Sequence, residues 1–172
     1  KHNRKSVDMT LGLAASENNL FDLNVVTGEQ EKNRTQKRGA PWSWLFDRNA
    51  ATLTHTGWYA DDTIATTNYI NYEKGRSKYV YDGQSPQYVQ MENYVANSQT
   101  TFTLDTHKLT VGANFTREEL NDRFDVANKT LPGSEPVTKI SRNGWALFAE
   151  DGWSIDDFIL TTSARMDQDD NF

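Results

Sequence analysis

The stretch from Thr100 to Phe124, TTFTLDTHKLTVGANFTREELNDRF, predicts a β-hairpin whose arms meet at the polar pair Asp105-Thr106. On the second arm one face of a strand would carry Leu109, Val111, Ala113 and Phe115, and the other Thr110, Gly112, Asn114 and Thr116. The arms, about Tyr88–Leu104 and His107–Phe124, are roughly three times as long as the usual strand of 5–6 residues. The hairpin therefore belongs to a sheet that is apolar on one side and wet on the other.

The composition agrees with a thin sheet better than with an ordinary soluble core. Hydrophobic residues make up 36% of the 172 residues and aromatic residues 12%, whereas globular domains are roughly 45–50% apolar. A barrel with its polar face inward needs no more apolar material than this. No apolar run comes near the roughly 18 residues of a transmembrane helix, so a membrane location would have to rest on alternating strands.

Several classes of function find no support in the residues. Cysteine is absent, which excludes disulfides and thiolate metal sites, and the net charge of −6 argues against nucleic acid as the main partner. No histidine pair has metal-ligand spacing, no Gly-x-Ser-x-Gly motif is present, and the acidic run Asp167–Asp170 lacks the glycine and final glutamate of a calcium loop. We therefore predict no enzymatic activity, no bound metal and no cofactor.

Short turns alternate with long polar segments along the chain. The short turns are Ser16–Asn19, Asp61-Asp62, Asp105-Thr106 and Asp156-Asp157, and the long segments lie near Glu31–Phe46, Lys74–Pro86 and Asp125–Pro136. All the short turns would fall on one side of an up-and-down meander, as in outer-membrane barrels with short periplasmic turns and long extracellular loops. The pattern starts at Lys1 and stops at Phe172 without an opening or closing element, so we expect a piece of a longer protein.

Eight strands follow from these turns. They are predicted at about Ser6–Ala15, around Phe21–Val25, Asn49–Tyr59, Thr63–Glu73, Tyr88–Leu104, His107–Phe124, Lys139–Ile155 and from Phe158 to Asp167, with Leu53 and Ile70 as outward anchors. Aromatic residues near the short turns fit an interfacial girdle: Phe21, Trp58, Tyr59, Phe102, Trp153 and Phe158. Cross-strand aromatic pairs in a soluble sheet are the alternative interpretation of the same residues.

From Arg48 to Phe172 a series of motifs keeps the order and spacing of a known family. The motifs are Thr52–Gly57, Tyr72–Lys74, Leu109–Ala113, Arg117–Asp122, Ala146–Trp153 and Leu160–Asp167. They resemble the barrels of TonB-dependent outer-membrane siderophore receptors, and most of all the catecholate type, to which the ferric enterobactin and colicin I receptors belong. The first 47 residues are similar in pattern only.

The resemblance implies a fold and a function. Residues 1–172 would form an all-β, antiparallel, up-and-down segment of about eight strands in a transmembrane barrel of about 22 strands, without the plug domain and its TonB-contacting segment. The whole protein would sit in the outer membrane of a Gram-negative bacterium and import a ferric siderophore through the TonB complex. It would also contact lipid and lipopolysaccharide and could serve as a colicin or phage receptor.

The sequence is also compatible with two other folds. In the first, the chain is a self-contained eight-stranded outer-membrane barrel with an adhesive or structural role, whose first and last strands pair with each other. In the second, it is a soluble β-sandwich binding module with Leu109, Val111, Phe158 and Leu160 packed inside.

Basic and aromatic residues near the long segments form the candidate ligand site: Arg48, Arg76, Lys78, Trp42, Trp44, Tyr79 and Tyr81. A ferric catecholate is an anion with aromatic rings, so cations attract it and aromatic faces stack on it. Arginine suits both tasks, and the resemblance places Arg48 in the family's ligand-binding set. The basic residues could instead pair with lipopolysaccharide phosphates, and Trp42 and Trp44 could pack within a loop. We expect the polar network that contacts the plug in whole receptors to include Asp8, Asp22, Glu150, Arg165 and Asp167.

Overall fold

The computed structural model describes residues 2–34, 42–81, 87–124 and 137–170, which form one eight-stranded antiparallel sheet. The strands are β1 (His2–Ser16), β2 (Asn19–Arg34), β3 (Trp42–Tyr59), β4 (Ile64–Tyr81), β5 (Gln87–Leu104), β6 (His107–Phe124), β7 (Val137–Ile155) and β8 (Phe158–Asp169). Each strand pairs with the next one in sequence, so the predicted all-β, up-and-down meander is confirmed.

The register explains why alternation in the sequence becomes two distinct faces. Pairing is continuous along the ladders apart from one irregularity between Ala14 and Ser16. One row of paired residues crosses seven strands: Leu11, Leu23, Leu53, Ile70, Ala96, Phe115 and Trp145. Because a shift of one residue would move a whole strand's apolar set to the other face, this row fixes the face of every residue paired with it.

The four short turns lie where the sequence predicts them. Asp61, Asp62, Asp105 and Asp156 have φ values of 54°, 66°, 45° and 51°, and Ala60 has 54°. Aspartate visits this left-handed region more readily than most residues because its short side chain can bond locally. The aspartates of the last three turns therefore have a conformational role.

The sheet is a single layer, and this decides against both alternative folds. Among the described residues Ala146, at 2% exposure, is the one buried hydrophobic residue, whereas Leu160 and Phe158 are 51% and 77% exposed. The prediction of a sandwich with these residues inside is thus wrong. The closed eight-stranded barrel is wrong as well, because β1 and β8 do not pair within the described part of the chain. No helix in that part is long and apolar enough to cross a membrane.

The strands reach further into the polar segments than predicted. Glu31–Arg34 continue β2, Trp42–Phe46 begin β3 and Lys74–Tyr81 continue β4, so the prediction of loops at these positions is wrong. The physical reason is cross-strand pairing between polar side chains, such as Asp47 with Arg76, which supports the ladder without apolar alternation. The rest of the predicted long segments, residues 35–41, 82–86 and 125–136, lies outside the described residues.

Two aromatic rows bound the apolar side of the sheet, and we call the region between them the apolar band. Near the short turns the row contains Tyr59, Phe102, Trp153 and Phe158, and at the other border Tyr72 and Tyr94 lie with ring centroids 4.9 Å apart. Strand β4 crosses the band from Ile64, which pairs with Tyr59, to Tyr72. This span matches the roughly 9–11 residues of a tilted transmembrane strand.

One member of the predicted girdle lies on the opposite side of the sheet. Trp58 pairs with Ala65 and, by alternation, shares the polar face with Thr56 and Thr54, whereas Tyr59 faces the apolar side. Alternation from Leu53, the predicted outward anchor, places Tyr59 on the outward face and Trp58 on the other. The assignment of Trp58 to the girdle is therefore wrong.

Candidate ligand-binding face

The polar face carries a cluster of aromatic and cationic residues. The cluster lies beyond the level of Tyr72 and Tyr94, at the end of the strands that is far from the short turns. We call Lys32, Trp44, Phe46 and Tyr79 the aromatic cluster. The Trp44 ring stacks on Phe46 at 5.9 Å with an interplanar angle of 13°, and lies tilted against Tyr79 at 6.4 Å. The Lys32 Nζ atom lies 4.9 Å from the Trp44 ring centroid, within the range of a cation–π interaction.

Two unused groups in this cluster are suited to an anionic aromatic ligand. The Trp44 Nε1 atom is buried and has no hydrogen-bond partner among the described residues. Burying an indole N–H without a hydrogen bond costs free energy, and a hydrogen-bond acceptor on a ligand would remove this cost. Lys32 contacts the Trp44 ring but no carboxylate in the described part of the chain, so its charge is free to attract an anion.

Arg48 lies beside this cluster on the same face and forms a two-pronged ion pair with Glu73. The Nε–Oε1 and Nη2–Oε2 distances are 2.8 and 2.9 Å. The hydrogen bonds and charge of Glu73 raise the pKa of Arg48 above its usual value, so the guanidinium stays protonated. The Arg48 side chain is 49% exposed, and a guanidinium has five N–H donors. Donors therefore remain for a ligand while Glu73 holds the orientation.

The structure does not bring Arg76 and Lys78 into this site. Both lie on the opposite face, beyond the apolar band, because β4 continues as a regular strand and alternation separates them from Glu73 and Tyr79. Arg76 binds the Asp47 carboxylate at 2.7 Å, and the Lys78 Nζ atom lies 5.5 Å from the Tyr88 ring centroid. The structure thus separates these two residues from the aromatic cluster, and their assignment to ligand binding stays a prediction.

The remaining predicted aromatics lie at the ends of the described strands. Trp42 pairs with Tyr81 in the β3–β4 ladder, two positions beyond the pair formed by Trp44 and Tyr79. Trp42 shares the face of Trp44 by alternation. The side chain of Tyr81 lies outside the described part of the structure.

The sequence analysis missed a belt of ion pairs. The belt lies on the same face as the apolar band, next to its border at Tyr72 and Tyr94 and away from the short turns. This outer belt consists of Asp47–Arg76, Lys74–Glu92 at 2.9 Å, Arg117–Glu119 at 2.9 Å and Lys139–Glu119 at 3.2 Å. A hydrogen bond from Lys74 lowers the pKa of Glu92, and one from Arg117 lowers the pKa of Glu119. The sequence signal was present: opposite charges occupy the same alternation phase as Leu53 and Ile70.

The predicted acidic network on the polar face is only partly assembled. Asp8 accepts a hydrogen bond from Asn24 at 2.7 Å, and Arg165 binds Asp167 at 2.8 Å within the same strand. In the described residues nothing joins these pairs to Asp22 or Glu150. No group of three or more potential metal ligands occurs among them either.

The chain is similar to known proteins over most of its length. Residues 3–172 match the family described as "TonB dependent receptor-like, beta-barrel". An iron-regulated outer membrane virulence protein of Vibrio cholerae serotype O1 is 29% identical over 128 residues, which are 74% of this chain and 18% of that protein.

Solved structures show the same fold. The siderophore receptor PirA of Pseudomonas aeruginosa superposes with a TM-score of 0.77 at 19% identity, covering 98% of this chain and 28% of that one. A mutant of the ferric enterobactin receptor PfeA from the same organism gives 0.79 at 18% identity, covering 98% and 29%. The chain thus spans less than a third of the length of each of these proteins.

Proposed function

Because this chain belongs to the TonB-dependent receptor-like β-barrel family, we propose that its strands form part of the wall of an outer-membrane importer of ferric siderophores. The sheet is located in the outer membrane of a Gram-negative bacterium, with its apolar band toward lipid and its polar face toward the lumen. The ligand proposed is a ferric siderophore of the catecholate type, and the driving partner is the TonB complex, acting through a plug domain.

The observation that carries this proposal is the aromatic cluster beside Arg48 on the lumen side. A ferric catecholate complex presents aromatic rings and negative charge together. The faces of Trp44 and Tyr79 offer stacking surfaces, and Arg48 offers directed N–H donors. Lys32 offers a cation that has no ion-pair partner among the described residues. These groups lie beyond the membrane level, where an incoming ligand meets the barrel first.

The test is ferric catecholate binding by the intact receptor after single substitutions. Arg48→Ala and Trp44→Ala should each weaken binding by roughly tenfold or more, since a hydrogen bond to a charged group contributes about 1.5–3 kcal/mol. Arg76→Ala is the matched control, because this arginine lies on the opposite face. Circular dichroism of each variant checks that the barrel is intact.

Two outcomes would overturn the proposal. Unchanged affinity in both lumen-side variants would discard the site, and an equal loss in Arg76→Ala would show that the effect is general electrostatics. Uptake that persists without the TonB complex would remove the proposed driving partner. Contact of the outer belt with lipopolysaccharide, and a colicin or phage receptor role, stay sequence-based predictions.

A further inference from the structure

The polar face has a hollow of about 180 Å³ beside Arg48, on the side turned toward β1 and β2. Gly28 of β2 pairs with Ser6 of β1 on one side and with Arg48 of β3 on the other, and all three line the hollow. A glycine in a strand often marks a place where a ligand approaches the backbone closely. Pockets that enclose a whole drug-sized ligand have roughly 300–1,000 Å³, so this hollow has room for one part of a siderophore.

The contacts of two glycines explain why the hollow is open. A Cβ atom added at Gly28 would have its three nearest neighbours on β1, at 3.5, 3.6 and 4.0 Å, which are ordinary contact distances. The backbone therefore does not require glycine at this position, and what the glycine provides is space. The Phe46 ring leans toward β4, because two of its carbons would lie 3.3 and 3.4 Å from a Cβ atom at Gly75. Gly75 thus makes room for the ring, and Gly28 leaves the space beside the ring empty.

Two arginines border the hollow, and their donors are largely unused. Arg48 binds Glu73 of β4 through Nε and Nη2, so within the described part of the chain its Nη1 donors remain for a ligand. Arg4 is exposed and forms neither an ion pair nor a hydrogen bond with any residue that the structure describes. Lys5 and Glu29 also border the hollow, but alternation directs their side chains to the other face. The charge that faces the hollow is therefore positive.

The residues beside Arg4 add an amide and an aromatic ring. Gln30 pairs with Arg4 across the β1–β2 ladder and with Phe46 across the β2–β3 ladder. The Gln30 Nε2 atom lies 2.6 Å from His2 Nε2. An amide nitrogen only donates, so the glutamine keeps its carbonyl oxygen and one N–H for a ligand. An aromatic ring that carries two neighbouring oxygens uses all of these groups, because the forked guanidinium binds the oxygens and Phe46 contacts the ring.

We propose that this hollow is a subsite for one catecholate ring of the siderophore and that Arg4 is a specificity-determining residue in it. The inference rests on the proposed function and refines it: the hollow takes a single arm, and Trp44 and Tyr79 contact the rest of the complex. A carboxylate group without a ring would satisfy the two arginines but would leave the Phe46 side of the hollow unfilled. Ring and charge together therefore select a catecholate.

The test measures binding of a ferric tris-catecholate to the intact receptor by titration calorimetry. Arg4→Gln should weaken binding roughly tenfold through loss of hydrogen bonds from a charged donor. Gly28→Leu should have a similar effect, because its side chain fills the hollow without meeting the backbone of β3. The double variant should lose no more than about tenfold, since both changes remove the same arm. Lys5→Gln is the matched control: it makes the same change of charge at the next residue, on the opposite face.

Circular dichroism checks that each variant keeps its barrel. Unchanged affinity in Arg4→Gln and Gly28→Leu would overturn the subsite, and so would an equal loss in Lys5→Gln or a hundredfold loss in the double variant. Ferric citrate should bind the parent at least tenfold more weakly. Equal binding that both variants weaken would make a carboxylate the occupant. If Arg48→Ala and Trp44→Ala weaken binding while these variants do not, the subsite alone is wrong. If none of the four changes binding, the proposed function fails with it.

Discussion

In the Arg48–Glu73 pair the glutamate has two opposing effects on the binding of an anion by the arginine. Glu73 orients the guanidinium through two bonds, but its charge cancels much of the attraction that Arg48 would exert on an anion. The arginine is half exposed, and exposed pairs of this kind contribute about 0–1 kcal/mol to stability. We therefore interpret the pair as a device that positions Arg48 and limits its charge, with little role in holding the sheet together.

This interpretation predicts that Glu73→Gln strengthens the binding of an anionic siderophore. The glutamine oxygen can still accept one bond from Arg48, so the orientation is partly kept while the opposing charge is removed. We expect affinity to rise severalfold at low salt and the gain to shrink as salt is added, because screening weakens the uncovered charge. A titration at two ionic strengths measures it. Weaker binding at both would mean that Glu73 contributes to the site chiefly by orienting Arg48.

At the scale of strands, the period-2 pattern and the turn residues were enough to predict most of the fold. Strand β6 has the predicted bounds, and Leu53 and Ile70 pair on the apolar side. The far ends of the strands could not be predicted, because both faces there are polar and hydrophobic alternation disappears. Since Lys74–Tyr81 looked like a loop, Arg76 and Lys78 could not be assigned to a face. Arg48 directly precedes the strand predicted from Asn49, so alternation extends to it, whereas Trp44 lay in a predicted polar segment and had no predicted face either.

The outer belt should make the far ends of the strands sensitive to acid. Lys74 and Arg117 hold the pKa values of Glu92 and Glu119 below the ordinary glutamate value. A carboxylate with a lowered pKa stabilises the fold above its unfolded-state pKa of about 4.3, and this contribution is lost as pH falls through the folded-state value. We expect the protection of the belt amides against hydrogen exchange, relative to the intrinsic exchange rate at each pH, to fall below about pH 4. The amides of the apolar band should lose protection only at lower pH.

A double variant checks this assignment. Glu92→Gln with Glu119→Gln removes both titrating carboxylates, so belt exchange should already be faster at neutral pH and should change less on acidification. Glu150→Gln is a suitable control, since Glu150 lies outside the belt, on the polar face. An acid response that is the same in the parent and the double variant would place the titration elsewhere.

For the molecule as a whole, the two open edges of the sheet determine whether it can be stable in a membrane. Strands β1 and β8 each have one paired side only within the described part of the chain. In hydrocarbon every unpaired backbone N–H and C=O costs several kcal/mol, so a sheet in a membrane must close. The solved structures with the same fold, of which this chain covers 28–29%, are longer, and we propose that further strands of the same kind pair with both edges.

The 172 residues produced alone should therefore fail to insert as a stable monomer. When the chain is refolded with lipid vesicles, we expect it to aggregate through its edges or to stay open to protease, because the unsatisfied edges outweigh the gain from the apolar band. The intact receptor, refolded in the same way, should become protected. Amide exchange at β1 and β8 gives the most direct measurement. Slow exchange at both edges in a monomer of the isolated chain would show that this sheet closes by itself. The proposal that its strands are part of the wall of a larger barrel would then be wrong.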